Sequence, residues 1–207
     1  TPGISDPGEE LVKQAVSAGV EIISLPGAVA CINALTVSAL STRRFAFEAF
    51  LPSDKKEKQM ILEELVNETR TIIIYESPHR LRKTLIELNE ILGNRNIAIC
   101  KELTKIHENI YRTTLLQAID YYEKNEPKGE YVLVIQGKSF EEIIKENILK
   151  WEDISIYEHY LKYLNEGIEN KEAMKLVAKD RGVSKREIYQ YLLNFLFQKE
   201  VLEQKND

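Results

Sequence analysis

The residues best suited to chemistry follow two apolar runs that predict buried strands. Open α/β sheets place their ligand sites at the carboxyl ends of strands. The first segment, Y-E-S-P-H-R at residues 75–80, combines an aromatic face, a carboxylate acceptor and an arginine that can clamp phosphate. The second, C-K-E-L-T-K at residues 100–105, holds charges that are costly beside a buried strand unless they are paired or used. We therefore select Glu102 and Lys105 for acid–base work or phosphate binding; a salt bridge at the rim of the sheet is the structural alternative.

Two Pro-Gly segments predict places where the backbone approaches a ligand closely. Residues 1–8, T-P-G-I-S-D-P-G, form a rigid loop in which Asp6 is placed to cap the next helix, although a plain structural turn fits equally well. Residues 25–34 end a predicted strand in Pro-Gly and open a helix with small residues, a crevice that suits a nucleoside. The G-x-G-x-x-G spacing is absent there, and Ala30 and Cys31 fit close packing in a core just as well.

The elements that must position these segments alternate between strand and helix. This alternation predicts an α/β sandwich, with nearly continuous apolar strands covered on both faces. Residues 44–51 form an additional extended stretch, which we expect to be an edge strand or a strand crossing to a second sheet. The predicted strands are Val20–Leu25, Thr71–Tyr75, Asn96–Cys100 and Tyr131–Gln136, and the predicted helices are Glu9–Ala18, Val29–Leu40, Lys55–Asn67, His79–Leu92 and Thr113–Lys124.

The pattern changes after Gly137, and we place a domain boundary near residue 138. From there on, apolar residues recur only at helical spacing. A short helix, a turn at Gly182 and a second helix capped by Ser184 and Glu187 form the outline of a helix-turn-helix. Residues 171–199 contain seven basic and three acidic residues, which gives this face some affinity for phosphate or simply makes it a solvated helix surface.

Composition excludes several classes of protein. The chain has 207 residues, 43% hydrophobic and 29% charged, and carries a net charge of −5, which disfavours a protein that coats nucleic acid through overall charge. Its two cysteines lie in separate apolar runs and its three histidines are scattered, so we expect a cytoplasmic protein with reduced thiols and no metal. No apolar run is long enough to predict a membrane span.

Taken together, these segments resemble the tetrapyrrole-methylase superfamily, and in particular its bacterial branch that 2'-O-methylates a cytidine of small-subunit (16S) ribosomal RNA. The motifs are T-P-G-I-S-D-P-G, L-P-G with small residues, F-x-x-F-L-P, Y-E-S-P-H-R, K-E-L-T-K and G-E-Y-V-L-V-I-x-G, which cover residues 1–137. The fourth and fifth motifs separate this branch from porphyrin and corrin methylases. Ala28, Ala49 and Lys101 stand where the branch usually has Pro, Gly and Arg.

The resemblance implies two α/β domains with S-adenosylmethionine bound in the cleft between them, followed by a helix-turn-helix-like domain. It assigns residues 1–70 to the remainder of the first domain, 71–138 to the second and 139–207 to the helical domain. The first strand and glycine loop of the family do not precede residue 1, so we expect the missing N-terminal part to lie upstream. The implied donor-binding residues are Thr1, Ile4, Ala30, Cys31, Tyr75, Glu76, Glu102 and Tyr131.

The implied reaction is in-line attack of a ribose 2'-hydroxyl on the sulfonium methyl group, for which the protein mainly positions the two reactants. Glu102 or Glu76 would accept the hydroxyl proton, with Lys105 lowering the local proton affinity. Residues expected to contact RNA are His79, Arg80, Lys101, Lys105, Lys185 and Arg186. The expected partners are 16S ribosomal RNA within the small ribosomal subunit and a second copy of the chain in a homodimer.

Two other functions stay open at this point. One is a methylase of a small molecule such as a porphyrinoid, against which the helical tail and the E-S-P-H-R segment count. The other is a non-enzymatic nucleic-acid-binding protein that acts through the helix-turn-helix; its binding would be independent of a methyl donor and steeply dependent on salt. The second alternative leaves the charged strand ends unexplained.

Overall fold

The computed structural model describes residues 2–203, except for the side chains of residues 196 and 198–203. The chain divides into two compact units between Lys138 and Ser139. The first unit contains α1 (Glu9–Ser17), α2 (Ala30–Val37), β1 (Phe45–Phe50), α3 (Lys55–Leu65), β2 (Thr71–Glu76), α4 (Pro78–Leu92), β3 (Asn96–Lys101), β4 (Asn109–Thr114), α5 (Leu115–Lys124) and β5 (Tyr131–Ile135). The second contains α6 (Phe140–Leu149), α7 (Ile156–Asn165), α8 (Asn170–Asp180) and α9 (Lys185–Glu203).

The first unit is built on a five-stranded mixed sheet in the order β1-β2-β5-β3-β4. β1 runs parallel to β2, whereas β5 lies antiparallel between β2 and β3 and β4 closes the far edge. Alternate residues of the central strands supply two cores. Ile72, Ile74 and Ile99 face the helices α3, α4 and α5, and Ile73 and Val134 face α2. Both faces are therefore covered, and the predicted α/β sandwich is confirmed.

Three of the four predicted buried strands are confirmed as β2, β3 and β5, and the extended stretch at residues 44–51 is the edge strand β1. The prediction of a buried strand at Val20–Leu25 is wrong. Its apolar side chains are exposed, with Leu25 at 84%, and the segment has no regular structure. An apolar run becomes a strand only where another strand pairs with it, and in the described part of the chain the five strands pair with one another instead.

The sequence pattern does not predict β4, because four of its six residues are polar and none is fully buried, so it lacks the continuous apolar signal of a central strand. The expected helix at residue 113 begins two residues later, since Thr114 is still in the strand and caps α5 by accepting from the Gln117 N–H. The predicted capping of α1 by Asp6 is also wrong, as the N-cap is Gly8.

A domain boundary is predicted after residue 70, but β1, which precedes it, pairs with β2, which follows it. One sheet therefore contains strands from both sides of that boundary. The division of the first unit into two methylase domains stays a prediction.

The regular elements of the second unit are all helices in its described residues, as expected. Its core packs α7, α8 and α9 around Val177 and Ile188. The chain turns from α8 into α9 at Gly182, whose φ of 63° lies in the left-handed region that favours glycine. Ser184 and Glu187 each accept a hydrogen bond from the other's backbone N–H, which confirms the predicted capping box. Among the described residues, no helix is long and apolar enough to span a membrane.

A buried imidazole lies at the centre of the helical unit. His159 is fully buried and stacks on Trp151 with ring centroids 3.6 Å apart. Its Nδ1 accepts from Arg181 Nε at 3.2 Å, and its Nε2 lies 3.3 Å from the Asp180 carboxylate, which also accepts from the Tyr163 hydroxyl. Burial and the neighbouring guanidinium lower the pKa of His159, so the ring is held neutral. Lys162, which lies over the Trp151 ring, adds to this effect.

We expect the helical unit to lose stability as the pH falls below about 6.5. Because the pKa of His159 is lower in the folded unit, the unfolded chain takes up a proton first, and protons favour unfolding. The stability is fully present above the unfolded pKa and declines as the pH falls toward the folded one. Thermal unfolding of the whole chain between about pH 8 and pH 5 measures this.

His159→Gln should remove most of this dependence from the transition of the helical unit. The matched control is His107→Gln, since His107 is exposed in the turn after β3 and should leave the dependence intact. An identical pH dependence in the His159 variant would contradict the assignment.

Candidate active site

A cleft of about 440 Å³ lies where β2 ends and β5 begins. Because β5 runs antiparallel to β2 and β3, its first residue, Tyr131, pairs with both Glu76 and Lys101, the last residues of those strands. This register brings the two charged segments selected from the sequence to one edge of the sheet. The lining residues are Ile4, Ser5, Asp6, Ala30, Phe50, Tyr75, Glu76, Ser77, Pro78, Glu130, Tyr131 and Val132.

Tyr75 connects the sheet to α2. Its hydroxyl oxygen accepts a hydrogen bond from the Cys31 backbone N–H at 3.0 Å, one of the donors that the first turn of a helix leaves without a partner inside the helix. The ring makes edge contacts with Phe47 and Phe50, at centroid distances of 4.9 and 5.6 Å. Burial raises the pKa of Tyr75, so the hydroxyl stays protonated and can donate its own proton toward a ligand.

Glu76 forms the floor of the cleft at the end of β2. Its side chain is 0% exposed, and its carboxylate accepts from the Ser77 backbone N–H at 2.8 Å and the Thr84 hydroxyl at 2.5 Å. Arg80 Nε lies 3.4 Å from the same carboxylate. A buried carboxylate is stable only with such partners, and they fix the first two turns of α4 against the sheet.

Arg80 is engaged within the protein rather than extended toward solvent. Besides Glu76, its guanidinium donates to the Leu51 carbonyl at 2.7 Å, which connects α4 to the end of β1. His79, one residue earlier in the first turn of α4, is exposed. Of the two residues expected to contact RNA here, His79 is therefore directly accessible, and the phosphate-binding role of Arg80 stays a prediction.

Glu102 and Lys105 form an ion-paired turn directly after β3. The Glu102 carboxylate accepts from the Glu130 backbone N–H at 2.8 Å and pairs with Lys105 Nζ at 3.1 Å. Lys105 also pairs with the Glu130 carboxylate at 2.8 Å. The Glu130 backbone hydrogen bond, followed by that of Lys105, lowers the pKa of Glu102, and the two carboxylates raise the pKa of Lys105. The expected salt-bridge alternative is thus present, and through Glu130 it borders the cleft.

The cleft gathers five of the eight residues expected to bind the donor, namely Ile4, Ala30, Tyr75, Glu76 and Tyr131. Cys31 is buried and contacts Tyr75. Glu102 is outside the lining of the cleft but is hydrogen-bonded to the lining residue Glu130. Residue 1 lies outside the described residues. Lys101 is half-buried at the end of β3, whereas Lys185 and Arg186 are exposed at the start of α9, in the second unit. The roles assigned to all of these residues stay predictions.

Sequence reasoning did not assign Phe50 or Glu130 to the site. Phe50 belongs to the F-x-x-F-L-P motif and Glu130 to the G-E-Y-V-L-V-I-x-G motif, but neither motif indicated a role for these two residues.

The two thiols are buried, and burial raises the pKa of Cys100 to about 11, which keeps that thiol protonated and unreactive at neutral pH. In the described part of the chain, no cluster of His, Cys, Asp or Glu has the arrangement of a metal site.

The family model of the Tetrapyrrole (Corrin/Porphyrin) Methylases matches residues 1–119, more than half of the chain. The chain therefore belongs to the tetrapyrrole methylase family, as its motifs predicted.

Relatives carry a more particular name. The chain is 45% identical over 188 residues to a "Ribosomal RNA small subunit methyltransferase I" of Halalkalibacterium halodurans, covering 91% of this chain and 64% of that protein. A protein of the same name from Synechocystis sp. is 41% identical over 194 residues, with coverages of 93% and 68%. The chain thus spans about two thirds of the length of these relatives. A crystal structure of the methyltransferase CobJ shares 20% identity and a TM-score of 0.49, covering 66% of this chain and 61% of that one.

We expect Gly129→Ala to disrupt the Glu102 turn. Gly129 has a φ of 89°, and a Cβ there would lie 2.6 Å from Glu102 Oε1, so alanine must displace the carboxylate from the Glu130 N–H. The free energy of unfolding should fall by more than the strain of about 1–2 kcal/mol alone, because the displaced carboxylate also loses its hydrogen bond with the Glu130 N–H. Denaturant unfolding measures this change.

The matched control is Gly19→Ala. Gly19 has a φ of 71° but open space around its Cβ position, so only the strain of about 1–2 kcal/mol applies. Equal losses of stability in both variants would show that Glu102 moves aside freely and does not hold the turn.

Proposed function

We propose that this chain is the larger part of an S-adenosylmethionine-dependent RNA methyltransferase that modifies the ribose 2'-hydroxyl of a cytidine in small-subunit ribosomal RNA. The observation that carries the proposal is its 45% identity, over 91% of its length, to a protein named Ribosomal RNA small subunit methyltransferase I. The choice of the ribose hydroxyl of a cytidine rests on the Y-E-S-P-H-R and K-E-L-T-K motifs.

The cleft suits the methyl donor. Its volume of about 440 Å³ lies in the range of about 300–1,000 Å³ typical of small-molecule sites. Ile4 and Val132 provide apolar contact, and the small Ala30 leaves room for a ligand. S-adenosylmethionine would supply a methyl group on a positively charged sulfur, ready for transfer without further activation.

The residues of the chain would then position the acceptor and receive a proton. The attacking hydroxyl loses its proton late in the step, so a weak base suffices. Glu76 lies in the floor of the cleft and Glu102 just behind Glu130, and both carboxylates are held in place by hydrogen bonds. Preorganised geometry of this kind lowers the barrier mainly through orientation.

RNA would be held by the exposed His79, by Arg80, Lys101 and Lys105 near the cleft, and by Lys185 and Arg186 on the helical unit. Phosphate contacts of this kind position a nucleic acid without reading its sequence. We propose that its partner is 16S ribosomal RNA within the small subunit, that it acts in the cytoplasm and that it forms a homodimer.

The decisive experiment uses the complete gene product with radiolabelled S-adenosylmethionine. Small ribosomal subunits from cells that lack the gene should acquire label as 2'-O-methylcytidine, identified by nucleoside analysis. Label on a porphyrinoid but not on the subunits would favour a small-molecule methylase. Salt-sensitive RNA binding without any methyl transfer would favour a non-enzymatic binding protein.

The residues proposed to act at the cleft should matter for chemistry. We expect Lys105→Ala, Arg80→Ala and Glu102→Gln each to lower the rate of single-turnover methylation by about tenfold or more, since misplaced reactants lose the benefit of orientation. Lys83→Ala is the matched control, because Lys83 is an exposed cation on α4 whose ion pair with Glu87 lies outside the cleft. Unchanged rates in all three cleft variants would overturn these assignments.

A further inference from the structure

Phe50 is an exposed aromatic residue at the mouth of the cleft. Its side chain is 51% exposed, whereas the inner lining residues Glu76, Tyr131 and Val132 are 1%, 3% and 7% exposed. The cleft therefore has a buried interior and an open aromatic rim. An exposed phenylalanine at the edge of a concave site provides a flat apolar surface that water solvates poorly.

A strained β-bulge directs Phe50 toward this rim. Phe47 pairs with Ile73 and Phe50 pairs with Tyr75, so β1 advances three residues where β2 advances two. Residues three apart on a regular strand point to opposite faces, but the extra residue lets both phenylalanines contact the ring of Tyr75. The bulge contains Ala49 at a φ of 53°, in the left-handed region that costs energy for any residue except glycine.

The backbone that carries Phe50 is fixed from the next residue. Leu51 is 1% exposed, and its carbonyl accepts from Arg80, which is itself paired with the buried Glu76. Bulges that re-aim a side chain occur frequently beside active sites, and strain of this kind persists only where the surroundings impose it. A rigid backbone beneath an exposed ring is the arrangement expected of a binding surface.

We propose that Phe50 is the stacking platform for an unstacked nucleobase of the RNA acceptor. The inference rests on the proposed function and adds the subsite that holds the target nucleotide. Single-stranded RNA is recognised largely by stacking its bases on aromatic side chains. With the base on Phe50 at the rim, the attached ribose extends toward the buried interior, where the donor methyl group is expected.

The test combines Phe50→Ala, Phe50→Leu and Phe50→Trp in the complete gene product. We expect Phe50→Ala and Phe50→Leu to lower kcat/KM for small ribosomal subunits by roughly tenfold to a hundredfold, as for loss of one base–aromatic stack, while Phe50→Trp retains activity. The dissociation constant for S-adenosylmethionine, measured by calorimetry, should stay within about twofold of the unaltered protein.

Phe45→Ala is the matched control, since Phe45 lies at the opposite end of β1 and is outside the cleft. Its activity should equal that of the unaltered protein. Full activity of Phe50→Ala, or an equal loss in donor binding, would overturn the stacking role. The variants are assayed only once the unaltered protein has been shown to methylate the subunits. If the unaltered protein does not methylate them, the proposed function is refuted, and not the stacking role.

Discussion

The architecture around the cleft depends on the burial of one carboxylate. Glu76 ends a strand whose preceding residues form the core, and its side chain is almost completely removed from solvent. Such a group requires partners, and the protein supplies a backbone N–H, a hydroxyl and a guanidinium. Arg80 then has donors left over, and one of them binds Leu51 at the end of the edge strand. The hydrogen bonds and the ion pair around this one buried carboxylate therefore connect β2, α4 and β1.

The pairing register of β5 with β2 and β3 determines which residues meet on the other side of the cleft. Since β5 lies antiparallel between two parallel strands, its start meets the ends of both, and Tyr131 becomes the common neighbour of Glu76 and Lys101. The turn after β3 is then held by Glu102, whose carboxylate binds the backbone of the residue just before β5. Gly129 makes this possible, because any side chain there would occupy the position of that carboxylate.

The sequence predicted those parts of the fold whose signals are local. The continuous apolar runs of β2, β3 and β5 require burial on both faces, and the Ser184 capping box follows from residues three apart. Val20–Leu25 carries the same apolar signal yet forms no strand, since pairing depends on a neighbour that no local pattern encodes. β4 shows the converse case, a mostly polar segment that becomes a strand because it pairs with the edge of β3.

The candidate site was predictable to a similar degree. Y-E-S-P-H-R and K-E-L-T-K stood out because charge beside a buried strand is unusual, and the sheet does bring them together. Phe50 could not be assigned, because its direction depends on a bulge at Ala49, and regular alternation would point it away from Tyr75. The salt bridge of Glu102 with Lys105 was among the expectations, whereas its hydrogen bond with the Glu130 backbone was not, since residues 102 and 130 become neighbours only through the pairing of β3 with β5.

The exposed segment Val20–Leu25 has a consequence for how the chain behaves in solution. It combines β-branched and leucine side chains with a backbone that no described strand pairs, and it contains one charged residue, Glu21. Short exposed segments of high β-propensity and low charge can nucleate intermolecular β-aggregation. Residues 20–25 are therefore one place where copies of this chain can associate, and a charge placed among them should weaken that association.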